Sequence, residues 1–488
     1  MHRIEGVSPE TWGDAVPVSA QLSMELSITG CPMTYIPYHS RPVPGTTSFE
    51  TGPIDTRLVV DVPPVHSGAG RSPLPGVIPP LKAQITSPAE FIKLEAEWRE
   101  LVERSLHPNV FMEPVAVLAA AAVCRGALRV VLVWDDASCT RRLVGAWALL
   151  EPSTLYFSGS RVLVAPIHPH APLSTPVIDR AMAGHVLASM FEAIEAEPDL
   201  PKLVELAHLD ASRGFLAALE AASLQQGGRY RLFDMRQRPE LGIQSMPPDS
   251  GAAVSKNRKR SMDRRRRRLA RLGDLAVDEI VDAGDLAAAL EEFLALEGAG
   301  WKGRRTARGR ALLLDADAAF YAREVVQGLA ARRLARLFVL RLDGRAVAVR
   351  IVLQSGAGVF TWKSSYDEAL REYSPGLLLL EDVTGALLDD RALTFADSCN
   401  HHDEGYMSEF WHGRKPVTSA LINVGSANLL HYSLVKGQLL ASWQMKALAR
   451  RALRQMRQLA SRLRSGVGPD ARQYSPFPEV SSRRRDHR

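Results

Sequence analysis

The sequence predicts a mixed α/β (α+β) protein built from two halves with the same order of elements. Short Val- and Leu-rich runs bounded by polar turns alternate with segments whose apolar residues recur at helical spacing. The order of these elements over residues 85–245 matches, more loosely, the order over 250–425. At 488 residues, with 46% hydrophobic and 23% charged content, the chain is too long for one ordinary core and has the balance of a water-exposed globular protein.

Residues 1–84 are rich in Pro, Gly, Ser and Thr and carry little periodic apolar pattern, so they read as a disordered leader. Order is expected to begin near Ser87. There SPAEFIKLEAEWRELVERS has a capping Ser, Pro beside it and Glu at the third helical position. Phe91, Leu94, Trp98 and Leu101 follow at helical spacing. A helix over 113–124 precedes strand-like runs at 128–135, 142–150 and 161–167. A helix at 178–197, a strand at 202–210, a helix at 214–225 and a strand at 229–236 complete the first half.

The second half opens with a basic helix over 255–272, then Leu-rich helices ending near Trp301 and spanning 315–333. Three strands are predicted at 336–343, 345–355 and 358–367. Asp343-Gly344 forms a two-residue hairpin turn between the first two, and Gly356-Ala357-Gly358 the next turn. The loop EALREYSPG enters a helix at 376–390. A strand at 392–398, a short helix or loop at 403–414 and a strand at 417–425 follow. Residues 430–464 read as a basic amphipathic helix, and 465–488 as a disordered tail.

No run approaches the roughly 20 consecutive apolar residues of a membrane span, and the N-terminus has no apolar signal core, so a cytoplasmic protein is expected. The four cysteines (Cys31, Cys124, Cys139 and Cys399) form no CxxC pair and read as free thiols. The net charge of +6 is unevenly spread. Residues 255–272 carry ten Lys/Arg against one Asp, and 436–464 carry eight with no acid, so the remainder is acidic.

An ordered set of motifs runs through the second half: VSKNRKRSMDRRRRRLARLGDLAV, FLALEGAGWKG, AAFYAREVV, LRLDGRAVAVRIVL, YDEALREYSPGLLLLEDV and LTFADS. Together they resemble the GNAT acyltransferase superfamily, in the branch associated with cellulose and exopolysaccharide biosynthesis. FIKLEAEWRELVERS and NVFMEP extend the resemblance to about 85–425. The chain departs from that pattern at Tyr406, which is followed by Met407 where the family carries Lys. It departs again at Ser374-Pro375-Gly376, which replaces the usual pyrophosphate signature.

The resemblance implies acyl transfer from acetyl-CoA or another acyl-CoA to an amine or hydroxyl of a small-molecule, saccharide or lipid-linked acceptor, without a metal. In that reading Ser374, Pro375, Gly376, Leu377 and Leu378 bind the cofactor. Pro375 fixes φ, and the amides of Gly376, Leu377 and Leu378 emerge from a helix end whose dipole favours phosphate. An ordinary capped helix is the plain alternative. Tyr366 and Tyr373 are candidate acids for the thiolate, and Asp397 and Glu409 candidate bases. Packing tyrosines and a turn-capping aspartate are the competing readings. Trp301, Lys302, His401 and His402 are candidate acceptor contacts.

The spacing of Cys399, His401, His402 and His412 matches no metal motif. The arginines at 258–268 read as a structural helix near a ligand, with nucleic acid the weaker option because no aromatics interleave. The basic C-terminal helix docks on the body or lies on an anionic membrane surface, docking being favoured. Two competing functions remain open at this point: an aminoacyl-tRNA-dependent Fem-like transferase, and a non-catalytic accessory protein with the same fold.

Overall fold

The computed structural model describes residues 81–136, 141–156, 159–244, 256–304, 311–401, 403, 405–426 and 428–465. Thirteen strands are present in that part: β1 (Leu81–Thr86), β2 (Gly126–Asp135), β3 (Arg142–Pro152), β4 (Leu163–Ala165), β5 (Val177–Ile178), β6 (Leu203–Asp210), β7 (Arg229–Gly242), β8 (Leu275–Ile280), β9 (Ala335–Leu342), β10 (Arg345–Ser355), β11 (Gly358–Tyr366), β12 (Phe395–Asp397) and β13 (Gly413–Asn423). The helices are α1 (Pro88–Phe91), α2 (Glu95–Arg104), α3 (Pro114–Val123), α4 (Ala183–Ala196), α5 (Arg213–Gln225), α6 (Lys256–Leu269), α7 (Ala283–Ala299), α8 (Ala316–Ala330), α9 (Pro375–Asp389), α10 (Tyr406–Phe410) and α11 (Leu429–Ser465).

The first described element, β1, lies ahead of the expected start near Ser87. LKAQIT alternates apolar and polar residues, as a half-buried edge strand does, and pairs antiparallel with β2. Residues 1–80 and 466–488, expected to be disordered, lie outside the described residues. The second half gains an unpredicted edge strand of the same kind, β8, beside β9. The turn at Asp343-Gly344 has positive φ at both residues, as the hairpin reading required.

All strands join one sheet in the order β1-β2-β3-β4-β6-β13-β7-β12-β11-β10-β9-β8, with β5 attached to β3. Pairings are antiparallel except β4 with β6 and β11 with β12. Each half thus runs strand, helices, antiparallel strands, helix, parallel strand, helix, final strand. The final strands are exchanged. β7, from the first half, lies against β12 of the second, and β13, from the second, lies against β6 of the first. β7 and β13 pair with each other at the centre, with Lys415 opposite Arg238.

Around this sheet, apolar faces divide by side. Leu290 and Phe293 of α7 and Val325 and Leu329 of α8 join the main core with the first half. Met262 and Leu269 of α6, Leu378–Leu380 of α9 and Met407 and Phe410 of α10 fill a second core on the opposite face. Each fully buried Leu, Val or Phe in such a core stabilises the fold by about 1.5–3 kcal/mol.

Between the halves sits a buried carboxyl, Glu113, just ahead of α3. It accepts from Trp98 Nε1 and from Ser355 Oγ, each at 2.6 Å. Burial pushes it up to about 7, against the pull of those two donors and of Arg332. A group raised this way stabilises the fold fully below its unfolded pKa, and that contribution is lost as pH rises through the folded value. Glu113→Gln keeps both partners and removes the titration. Its melting temperature relative to wild type is expected to climb between about pH 5 and about pH 8, by an amount equivalent to as much as about 3 kcal/mol. Parallel melting-temperature curves for the two proteins would contradict this.

Candidate active site

The parallel pair β11–β12 is short. Gly358, Val359 and Phe360 face Phe395, Ala396 and Asp397, and pairing stops there. β11 continues to Tyr366 while β12 ends, so the two strands part. Thr361 Oγ1 donates to the Asp397 carbonyl at 3.3 Å just where they separate. On its other side β11 carries a bulge, with Ile351 opposite Lys363 and Val352 opposite Thr361. Trp362 is thereby opposite no residue on either neighbouring strand.

The first half has the same parallel pair, β4–β6, but its gap is filled by the chain itself. Ser174 Oγ donates to the Ala207 carbonyl at 2.6 Å, the Asp210 N–H donates to Thr175 Oγ1 at 2.8 Å, and Trp147 Nε1 donates to the Ser174 carbonyl at 3.1 Å. Residues Ala171 to Ile178 are buried throughout.

Beyond β11 the chain makes a 3-10 turn over Glu368–Tyr373 and enters α9 through Ser374, whose φ of 55° is left-handed. The amides of Leu377 and Leu378 both donate to the Ser374 carbonyl, at 2.9 and 3.2 Å. This corrects the expectation of three free amides: a tight first turn consumes two of them. Only that of Gly376 is left without a backbone acceptor among the described residues.

Helix α6 packs across this entry. Arg265 donates to Ser374 Oγ at 2.6 Å, Arg266 pairs with Asp382 at 2.8 Å, and Arg268 pairs with Glu372 at 3.0 Å while lying over the Tyr373 ring. The Arg-rich helix is thus a structural element beside the candidate phosphate site, and Arg264, Arg267 and Arg271 remain exposed.

Where α10 begins, Gly405 adopts φ 86° and Tyr406 turns back onto the sheet. Its hydroxyl accepts from Arg350 Nη2 at 3.0 Å and lies 3.3 Å from Ser364 Oγ. Arg350 is buried on β10, opposite Ser364 of β11. Burial pushes the phenol up, but the Arg350 charge, the two hydrogen bonds and Lys302 outweigh it and hold Tyr406 below an ordinary tyrosine.

Lys302 belongs to the same corner. It donates to the Ser364 carbonyl at 3.0 Å and pairs with buried Glu297 at 2.8 Å. Its neighbour Trp301 donates its amide to Glu368. Next along β11, Lys363 donates to His170 Nδ1 at 3.0 Å, and burial draws it down to about 8.

The other predicted site residues are scattered. The Tyr366 ring rests against Gly376, and burial raises its phenol. Tyr373 packs half-buried under Arg268. Asp397 is fully buried. It is ion-paired with Arg238, lies 3.5 Å from Lys415, and accepts the Cys399 amide at 2.8 Å. Its carboxylate is committed to these partners within the protein. Glu409 is exposed and paired with Arg258. The His401 carbonyl accepts from Arg236 at 3.2 Å, and its ring lies 4.9 Å from that of His208. His402 lies outside the described residues.

Sequence reasoning missed Arg350 and Ser364, and noted Tyr406 only for the residue after it. The available signal was position: Tyr406 opens the helix that follows the strand ending in Asp397. Among the described residues no group of His, Cys, Asp and Glu could hold a metal ion.

Residues 256–400 match the family model described as the acetyltransferase (GNAT) domain. The second half carries a GNAT acyltransferase domain. The GNAT half holds the splayed strands, the α9 entry and Tyr406, although Tyr406 itself lies just past the matched residues. The model describes the superfamily and does not single out the polysaccharide-associated branch.

No curated protein matches the chain. Solved structures similar to it include FemX, at 10% identity over 72% of this chain and 99% of that chain, with a TM-score of 0.49. The C-terminal domain of a putative lysylphosphatidylglycerol synthetase from Agrobacterium fabrum shares 11% identity over 72% of this chain and 95% of that one, TM-score 0.42. A tandem GNAT protein from the clavulanic acid biosynthesis pathway shares 13% over 72% and 100%, TM-score 0.35.

Proposed function

We propose that the GNAT half moves an acetyl or longer acyl group from acyl-CoA to an amine or hydroxyl acceptor, with Tyr406 as the catalytic acid. The observation that carries this is the Tyr406 hydroxyl, fixed by Arg350 and Ser364 beside the splay of β11 and β12. In this reading the amide of Trp362, which the bulge skips, holds the thioester oxygen as it gains charge. Tyr406 donates its proton to the departing thiolate. The Arg350 guanidinium stabilises the resulting phenolate until it takes up the proton released by the acceptor. Asp397 is a positioning residue that anchors the end of β12. Tyr366 lines the phosphate end against Gly376.

The residues at the α9 entry fit a pyrophosphate: an open amide at Gly376, a helix N-terminus, and guanidinium groups from α6. Gly376→Glu is expected to weaken acetyl-CoA binding at least about tenfold by setting a carboxylate against phosphate. An acid in the first turn suits the helix dipole, so the fold survives. Gly376→Ala, whose methyl meets the Tyr366 side chain first, at an ordinary contact of 3.4 Å, is expected to retain binding. Calorimetric titration of the three proteins with acetyl-CoA decides. Equal affinity for Gly376→Glu and wild type would remove the cofactor assignment.

The ordered motifs of the second half support a saccharide or lipid-linked acceptor in polysaccharide or envelope synthesis, and they alone support it. A second reading, transfer from an aminoacyl-tRNA, draws on the exposed arginines of α6. Salt-sensitive tRNA binding without acetyl-CoA binding is the outcome that would favour it.

A further inference from the structure

Helix α11 runs over Leu429–Ser465, about 55 Å of helix, and its beginning is held by the body. Tyr432 and Val435 are buried, Leu439 packs on the core, and the Trp443 ring meets Phe233 at 6.0 Å. Beyond Trp443 the apolar residues whose side chains are described are exposed. Met445 is 65% exposed, Leu448 62% and Met456 60%, and Ala449 and Ala452 are exposed too.

These five positions are spaced i, i+3, i+4, i+7 and i+11, which places them on one helical face. The sequence continues that face with Leu459 and Leu463. By the same helical period Lys446, Arg450, Arg451, Arg454, Arg457, Arg462 and Arg464 fall on the remaining arc, and no acidic residue interrupts them. Among the described residues no helix is long and apolar enough to cross a membrane.

We propose that the distal part of α11 lies flat on an anionic lipid bilayer, its Met/Leu face in the acyl boundary and its Lys/Arg arc on the headgroups. The charge decides between occupants. A self-pairing helix of this composition would bring two cationic arcs together, because the segment supplies no acid to offset them. An anionic surface satisfies the charge and the apolar stripe at once. The GNAT half would then work at a membrane surface, tethered through the strand β13 that precedes α11.

The full chain is sedimented with phosphatidylcholine vesicles and with vesicles containing about 30% phosphatidylglycerol. Wild type is expected to partition onto the anionic vesicles at least about tenfold more strongly, and to be released as salt rises. The triple variant Met445→Glu, Leu448→Glu, Met456→Glu changes exposed residues only. It is expected to lose binding at least about tenfold while keeping the wild-type melting temperature. Equal binding to both vesicle types, or triple-variant binding equal to wild type, would overturn the proposal. So would a dimer in light scattering that the triple variant dissociates, because the stripe would then be covered by a second copy.

Discussion

Tyr406→Phe is expected to lower kcat for acyl transfer by about a hundredfold or more while leaving acetyl-CoA affinity within about twofold. The reason is local. The hydroxyl makes the hydrogen bonds to Arg350 and Ser364, and Phe keeps the ring that lies under the Arg350 guanidinium at 6.0 Å. Loss confined to kcat is the mark of an interaction made in the transition state.

The pH profile carries a second, independent signature. An acid must hold its proton to act, so activity falls as pH rises through its pKa. The Arg350 charge keeps Tyr406 below the ordinary phenol value, so the alkaline limb is expected below about 10. Arg350→Met removes that charge, and the limb is expected to move upward. Steady-state kinetics across pH on the three proteins test both points. A Phe variant with undiminished kcat, or a limb that ignores Arg350, would show that Tyr406 is a packing residue. Replacing Arg350 also perturbs its contact with Met407 Sδ at 3.8 Å, so the melting temperature is measured alongside.

Much of this architecture was legible because periodicity is local. Strands β2, β3 and β6 and helices α5, α8 and α9 fell within a few residues of their expected ends. What escaped had specific causes. β1 and β8 are half-exposed edge strands whose apolar content is thin, and β1 adjoins a Pro/Gly-rich stretch. β7 and β13 were cut short in the reading at 236 and 417 because Pro239 and Pro416 stand inside them. Those prolines lie opposite Arg414 and Gln237 in the central exchanged pair, one on each side of the Lys415–Arg238 rung. A proline argues against a central strand on propensity, and here tertiary pairing overrides it.

The exchange itself links residues far apart in the chain and leaves no periodic trace. The ion pair of Asp397 was invisible for the same reason. A carboxylate ending a strand beside a groove looks like a base until its partner is known, and Arg238 lies 159 positions away. For the α9 entry, the reading placed the turn correctly but not its hydrogen bonds, because Ser374 takes a left-handed conformation that its residue type does not announce.

That distant partner is the site of the second large effect. Arg238→Met is expected to destabilise the fold by about 3–5 kcal/mol, measured as a lowered urea midpoint. Arg238 is fully buried, donates to the Pro172 carbonyl at 3.1 Å, and pairs with Asp397. Lys415 is the one other cation near Asp397 among the described residues, and it is already shared with Asp210 at 3.3 Å. Burial works against ionisation of Asp210, yet Lys415 and His107 hold it at about 2. Four charges thus meet where the two exchanged strands cross: Asp210 and Asp397 at the ends of the parallel strands β6 and β12, and Arg238 and Lys415 facing each other on β7 and β13.

Removing one cation strands a buried carboxylate, which is why the cost exceeds that of a surface pair. Removing the carboxylate as well, in Arg238→Met with Asp397→Leu, is expected to recover part of the loss, since neither charge is then left alone. If the double variant is no more stable than the single one, the loss came from packing and the charge argument fails. If the single variant matches wild type, the cluster does not hold the exchanged strands together. Because β12 ends at Asp397 where the groove opens, the same substitution is also expected to weaken acetyl-CoA binding in whatever fraction remains folded. A stability defect that reaches the cofactor in this way would tie the strand exchange to the site it frames.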